Sequence, residues 1–130
     1  MLFRSTLSNV GIGTTNPPSL LSIGTQVGID TATTTVATTT ATSVIGISTA
    51  TFRSAKIQVQ ISQSTSYQAS DILLIHDGVN SNIIEYGTLA TGSLLGSYST
   101  DINSGNARLL VTMSSATSAT VKAVAYKITI

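Results

Sequence analysis

Residues 71–88 read DILLIHDGVNSNIIEYGT. Two apolar runs, Ile72–Ile75 and Ile83–Ile84 with Tyr86, flank the polar segment His76-Asp77-Gly78-Val79-Asn80-Ser81-Asn82. Asp-Gly supplies a residue that tolerates positive φ, and the Asn/Ser cluster can hydrogen-bond its own backbone. The segment therefore reads as a hairpin loop. From Ile72 to Ile75 there is no polar gap, the pattern of a strand buried on both faces. The residues after about Val44 read as a set of strands arranged to cover it.

Those strands follow from alternation. In Arg53–Ser62, Ala55, Ile57, Val59 and Ile61 share one face, and Ser54, Lys56, Gln58, Gln60 and Ser62 share the other. Further strands are expected at Val44–Thr49, Tyr67–His76, Asn82–Thr88 and Leu94–Ile102. Ala107–Met113 places Ala107, Leu109, Val111 and Met113 inward. The last, Thr120–Ile130, puts Val124, Tyr126, Ile128 and Ile130 on one face. No segment carries apolar residues at helical period over three turns. The expected fold is all-β, an antiparallel β-sandwich or jelly roll of about seven to eight strands over residues 43–130.

Residues 1–42 read differently, as an extended Thr/Gly-rich arm for oligomerisation or particle docking. Leu2, Phe3 and Leu7 offer a small apolar contact to a partner chain. Gly11, Gly13 and the Pro17-Pro18 pair punctuate Asn9–Pro18 too heavily for a helix, which leaves short strands there and at Leu20–Ile23. Val10-Gly-Ile, Val27-Gly-Ile and Ile45-Gly-Ile recur at spacings of 17 and 18 residues. They are either short rungs that need neighbours to bury a face or an echo of composition. Thr31–Ser43, TATTTVATTTATS, is β-branched and so disposed to extended geometry. It reads as an ordered connector or as a strand whose methyls meet other subunits.

The bulk numbers narrow the function classes. Charged residues make up 8% of the 130, against roughly 25% in an ordinary soluble domain. Ser and Thr take their place at roughly a third of the chain, far above usual usage. The resulting surface suits close packing against copies of itself. Net charge is +1, and the six Lys and Arg are scattered with no adjacent pair. No phosphate-tracking stripe for nucleic acid and no polybasic membrane patch results. Cys is absent, which removes disulfides, Cys-ligated metals and thiol chemistry. No apolar run approaches the ~20 residues of a membrane helix. The N-terminus lacks the apolar core of a signal peptide, so an extracellular protein of this kind is expected to leave by lysis or dedicated assembly.

The sequence assembles no complete catalytic or ligand motif. Gly11-Ile12-Gly13-Thr14-Thr15-Asn16 has Asn for the third Gly of a dinucleotide loop and a Pro pair where the helix should start. Asp101–Asn106 has the oxygen spacing of a calcium loop, but Gly105 takes the fifth position and Thr112 stands where the closing acid belongs. His76, the single histidine, adjoins Asp77, but strand neighbours point to opposite faces. No nucleophile elbow accompanies it. Nothing selects a glycosidase pair from Asp71, Asp77, Glu85 and Asp101. The expectation is a non-enzymatic protein with no catalytic, cofactor or metal residues. Tyr67, Tyr86, Tyr98 and Tyr126 read as core or interface residues, or alternatively as stacking platforms for a carbohydrate.

Several stretches carry a resemblance. Phe52-Arg53-Ser54-Ala55-Lys56, Leu74-Ile75-His76-Asp77-Gly78, Glu85-Tyr86-Gly87-Thr88 and Gly105-Asn106-Ala107-Arg108-Leu109-Leu110-Val111 resemble a module of virion structural proteins from marine tailed phages, notably cyanophages. The similarity covers roughly Thr42–Ile130. Asn9-Val10-Gly11-Ile12-Gly13-Thr14-Thr15-Asn16-Pro17 is similar to a repeat of phage fibre proteins, from which it departs by doubling the Pro. The resemblance implies a virion component assembled in the host cytoplasm and carried on the particle: a tail fibre, capsid decoration or head fibre. The implied state is a homotrimer in contact with other capsid or tail proteins. It brings no catalytic residues. The shortness of the chain favours a decoration-type protein or a fibre tip. The alternative is a carbohydrate-binding receptor-recognition tip that contacts host surface glycans.

Overall fold

A computed structural model of the chain describes residues 2–4 and 8–130. Eleven strands run in order. The first four are β1 (Leu2–Arg4), β2 (Val10–Ile12), β3 (Leu21–Ile23) and β4 (Val27–Val36). Next come β5 (Thr42–Ser48), β6 (Phe52–Gln63), β7 (Ser66–His76) and β8 (Ser81–Ala90). The chain closes with β9 (Gly96–Asn103), β10 (Asn106–Met113) and β11 (Ala119–Thr129). No helix occurs among the described residues. The apolar contact expected of Leu2, Phe3 and Leu7 rests on side chains outside the described residues.

The strands form two sheets, eight-stranded in the order β1-β2-β3-β4-β11-β6-β7-β8 and three-stranded in the order β5-β10-β9. Every pairing is antiparallel except β2 with β3. The fold is an all-β antiparallel β-sandwich. The core lies between the sheets. Ile57, Val59 and Ile61 from β6, Ile72 and Leu74 from β7, and Val121 from β11 face Val44, Ile47, Ala107, Leu109, Val111 and Met113 from the small sheet. Alternation in β6 and β10 is as the sequence reads it, because each of these strands has one side against the other sheet.

Turn chemistry sets the registers. The β7–β8 hairpin closes over Asp77–Asn80, with Gly78 at φ 101°. The Asp77 carboxylate accepts the amides of Val79 (2.8 Å) and Asn80 (2.7 Å). Ser104 and Gly105, at φ 49° and 76°, make a two-residue turn of the primed kind between β9 and β10. Along β8 the ladder shifts: Asp71 pairs with Gly87 and Ile72 with Glu85, so Tyr86 is an extra, bulged residue on the edge strand.

The N-terminal part is woven into the large sheet. Over Val27–Val36, β4 pairs residue by residue with β11, and Val36 is part of the core. The Thr-rich stretch is thus, as far as Val36, an extended strand held by its own chain; Thr38–Thr40 then bend towards β5, with Thr38 Oγ1 accepting the Thr40 amide. The first two Val-Gly-Ile fragments form short rungs of one sheet, with Leu21-Ser22-Ile23 between them. The third lies in the other sheet. The small central residues Gly11, Ser22 and Gly28 face inward, where residues 14–20 fold over them. A Cβ on Gly28 would lie 2.9 Å from Ser19 Cβ and 3.1 Å from the Phe52 ring.

Two strands depart from the sequence reading. Ile72–Ile75 is not buried on both faces: Ile72 and Leu74 are fully buried, while Leu73 and Ile75 are 48% and 54% exposed. A single sandwich supplies only one covering layer. In β11, Val124, Tyr126 and Ile128 do share a face, but it is the outer one. Val121, Ala123, Ala125 and Lys127 point into the sandwich.

Candidate functional site

Of the candidate catalytic residues, His76, Asp77, Glu85 and Asp101 are each engaged in local hydrogen bonds. His76 is buried, and its Nε2 is 2.6 Å from the Phe52 carbonyl oxygen. That oxygen only accepts, so Nε2 carries the proton and Nδ1 is left without a partner. Arg53 donates to the His76 carbonyl (3.1 Å). His76 therefore ties the end of β7 to the start of β6. The loop amides of Asn80 and Val79 hold the Asp77 carboxyl down at about 2, which makes it a permanently ionised turn cap.

The other carboxylates are spread across both sheets. Asp101 takes two hydrogen bonds from Arg108 on the outer side of the small sheet, and the guanidinium lowers its pKa. Asp101 is thereby turned away from the Ser104-Gly105 turn that resembled a calcium loop. Glu85 accepts from Ser70 (3.2 Å) and from Thr88. Asp30 accepts from Lys127 and from the Leu20 amide (2.8 Å). Asp71 lies on the outer side of β7, opposite Gln58. Among the described residues no three His, Cys, Asp or Glu come together. In the Gly11–Asn16 segment, Gly11 and Ile12 belong to β2, and the chain then turns with Thr14 Oγ1 accepting the Asn16 amide.

Sequence reasoning missed two buried polar anchors. Gln68 is fully buried. Its Oε1 accepts the Leu95 (2.6 Å) and Gly96 (3.3 Å) amides, and its Nε2 donates to the Gly96 carbonyl (3.0 Å). It pins the loop before β9 to the large sheet. Lys127 is the other anchor: its side chain is 4% exposed, paired with Asp30, and its ammonium lies 4.0 Å from the Phe52 ring centroid. The signal for both was present in the inward parity of their strands, though a polar side chain at such a position looks like a surface one.

The tyrosines divide. Tyr98 points inward; its hydroxyl is buried without a partner, and burial pushes its pKa up. Tyr67, Tyr86 and Tyr126 are about half exposed. Tyr67 exchanges hydrogen bonds with Thr91 and lines a groove of about 380 Å³ with Leu89 and Gln60.

The feature with most surface chemistry is the outer face of the large sheet. Register aligns side chains into rows across seven strands. One row runs Val10, Leu21, Ile29, Tyr126, Lys56, Leu73 and Ile84. The next runs Ile12, Ile23, Val27, Ile128, Ser54, Ile75 and Asn82. At the strand spacing of ~4.8 Å the stripe is roughly 29 Å long. Lys56 is its single charge. Between Tyr126, Ile128, Leu73, Ile75 and Ile84 the stripe dips into a groove of about 680 Å³. Towards the other end of the strands the same face turns polar, through Thr31, Gln58 and Asp71 to Thr33, Lys122 and Gln60.

No protein-family model matches the chain, and no curated protein matches it. Among solved structures, the chain is similar to the tailspike protein of Acinetobacter baumannii phage AM24. The TM-score is 0.54 at 6% identity, over 85% of this chain and 30% of that one. The tailspike protein of Acinetobacter phage vB_ApiP_P1 gives a TM-score of 0.44 at 15% identity, over 78% of this chain and 22% of that one. The chain thus spans less than a third of the length of either tailspike. At these identities the likeness to the AM24 protein is one of fold.

Proposed function

We propose that the chain is a non-enzymatic structural component of a phage virion, a short fibre or capsid-decoration element that assembles as a homotrimer. The observation that carries this reading is the sandwich it shares with part of the AM24 tailspike over 85% of its length. Low charge and the fibre-like Asn9–Pro17 stretch point the same way. A non-enzymatic role is supported by the placement of the carboxylates, four of which are held by loop amides, Arg108, Lys127 or hydroxyls. The oligomerisation or docking role proposed for residues 1–42 falls to the outer faces of their strands, because β4 is itself paired within the large sheet. Electron microscopy of purified particles with antibody against the chain tests the reading; particles that lack the chain overturn it. Light scattering on the isolated protein tests the trimer.

A second reading is favoured by one observation. Tyr67 stands exposed beside Thr91, in a groove with Leu89, which is how a sugar-stacking platform is built. This reading makes the chain a receptor-recognition tip. It predicts glycan-array binding that Tyr67→Ala abolishes, and an array without signal removes it.

A further inference from the structure

We infer that the apolar stripe on the outer face of the large sheet is the surface by which one copy of this chain packs against another. The inference rests on the self-assembly proposed above and names the face that carries it. Seven large side chains of the two rows, among them Leu73, Ile75, Ile84, Tyr126 and Ile128, are 44–59% exposed. Seven such side chains, each about half exposed, leave an apolar surface comparable to the ~300–600 Å² that is the largest patch on a typical monomer. A standard interface takes ~800 Å² from each partner, so the stripe supplies a large share of one side of it.

Three observations favour a second copy as the occupant. The stripe holds one charge, Lys56, whose aliphatic stem can lie along the neighbouring apolar side chains while its ammonium reaches the rim. Charge depletion at the centre marks protein–protein interfaces, and homodimer interfaces are the more apolar among them. A net charge of +1 gives copies of this chain almost no mutual repulsion to overcome. The unbroken Ile72-Leu73-Leu74-Ile75 run is the pattern of a strand covered on both sides. Its inner side is covered by the small sheet, so the outer layer has to come from outside the chain. Around a threefold axis three such faces can meet, each stripe touching those of both neighbours with side chains interdigitated, which fits a stripe running across the strands.

The test compares the mass of the wild-type protein at tens of micromolar with that of Ile75→Glu, Ile128→Glu and a loop control, Val79→Glu, by light scattering. Circular dichroism reports folding. A wild type and control of multiple-chain mass, with both face variants falling to single-chain mass, is the expected result. Should the face variants fail to fold, thiol labelling decides, since the chain has no Cys of its own. Ile75→Cys is expected to react with a maleimide at least about tenfold more slowly than Val79→Cys, because labelling must wait for the interface to open. An assembled wild type whose face variants keep their mass, or whose Ile75→Cys labels as fast as the control, overturns the assignment of this face and leaves self-assembly standing. A wild type that stays a single chain overturns both, and gives the stripe to another virion protein.

Discussion

The Asp30–Lys127 pair offers the sharpest test of how the N-terminal strands are held. Lys127 points inward from β11, its side chain 4% exposed, between the Asp30 carboxylate and the Phe52 ring. Asp30, 27% exposed, also accepts the Leu20 amide. In Asp30→Asn the side-chain oxygen can still take that amide, but the ammonium loses its counter-charge. Removing one partner of a fully buried pair costs about 3–5 kcal/mol. Here water reaches the Asp30 side, and the ring face returns ~0.5–2 kcal/mol to the cation. The expected loss is therefore about 2–3 kcal/mol. Lys127→Met removes the buried charge and keeps most of the volume; the carboxylate it strands can be solvated, so a change within about 1 kcal/mol is expected. Urea denaturation followed by circular dichroism, at one fixed protein concentration so that association does not enter, reads both. With slopes of ~1–3 kcal/mol per molar, the midpoint of Asp30→Asn should fall by about 1–2 M. If Asp30→Asn matches the wild type while Lys127→Met unfolds, the reasoning is refuted: the ammonium would not be desolvated, and the lysine would act through its stem.

Gly28→Ala drives a methyl into Ser19 Oγ and to 3.1 Å from the Phe52 ring, and should cost about 1–3 kcal/mol in the same assay. Adding Ser19→Gly should recover part of the loss, and no recovery would point to a cause other than the clash. Gln68→Ala strands two amides and a carbonyl of the segment before β9, a loss of about 2–4 kcal/mol. Rapid amide exchange at Leu95 and Gly96 should accompany it, and unchanged exchange there would show that the anchor is not needed. Asp77 has a folded-state pKa of about 2, below its ordinary 3.8. The stability it contributes is present above the unfolded value and lost as pH falls through about 2. A carboxyl carbon titration by NMR should place its midpoint there; a midpoint near 4 would mean that the loop amides do not hold the carboxylate.

What could be read from the sequence was the part in which one residue decides one geometry. Asp77-Gly78 selects its turn locally, and alternation in Arg53–Ser62 has only one inward parity that buries Ile57, Val59 and Ile61. Parity alone misleads where both sides of a strand are apolar. In β11 the larger apolar side chains, Tyr126 and Ile128, lie outside, and Val121, Ala123 and Ala125 take the inner positions. The inner parity also holds Lys127, which becomes legible only once Asp30 is known to lie beside it, 97 residues away in sequence. Gln68 belongs to the same class, since its partners are backbone groups of another strand. The Thr-rich β4 was legible as extended chain, but its partner was not, since a run of Thr matches no neighbour in particular. The apolar rows were not legible, because they exist only when seven strands are brought into register.

The extra residue in β8 bears on how such a protein stops growing. An eight-stranded sheet ends in a row of free amides and carbonyls, and β8 is such an end. A straight edge there would template an identical edge on the next molecule, and that one a further one, an open polymer with no natural length. The bulge at Tyr86 interrupts the row and twists it, so that a second edge cannot pair along its full length. On the self-association proposed above, contact is then steered away from the sheet's rim and onto its face, where a closed number of copies can use up the sticky surface and present nothing further to add to. The proposed particle component would be made in many copies, and a single bulged tyrosine is a small structural means of that restraint.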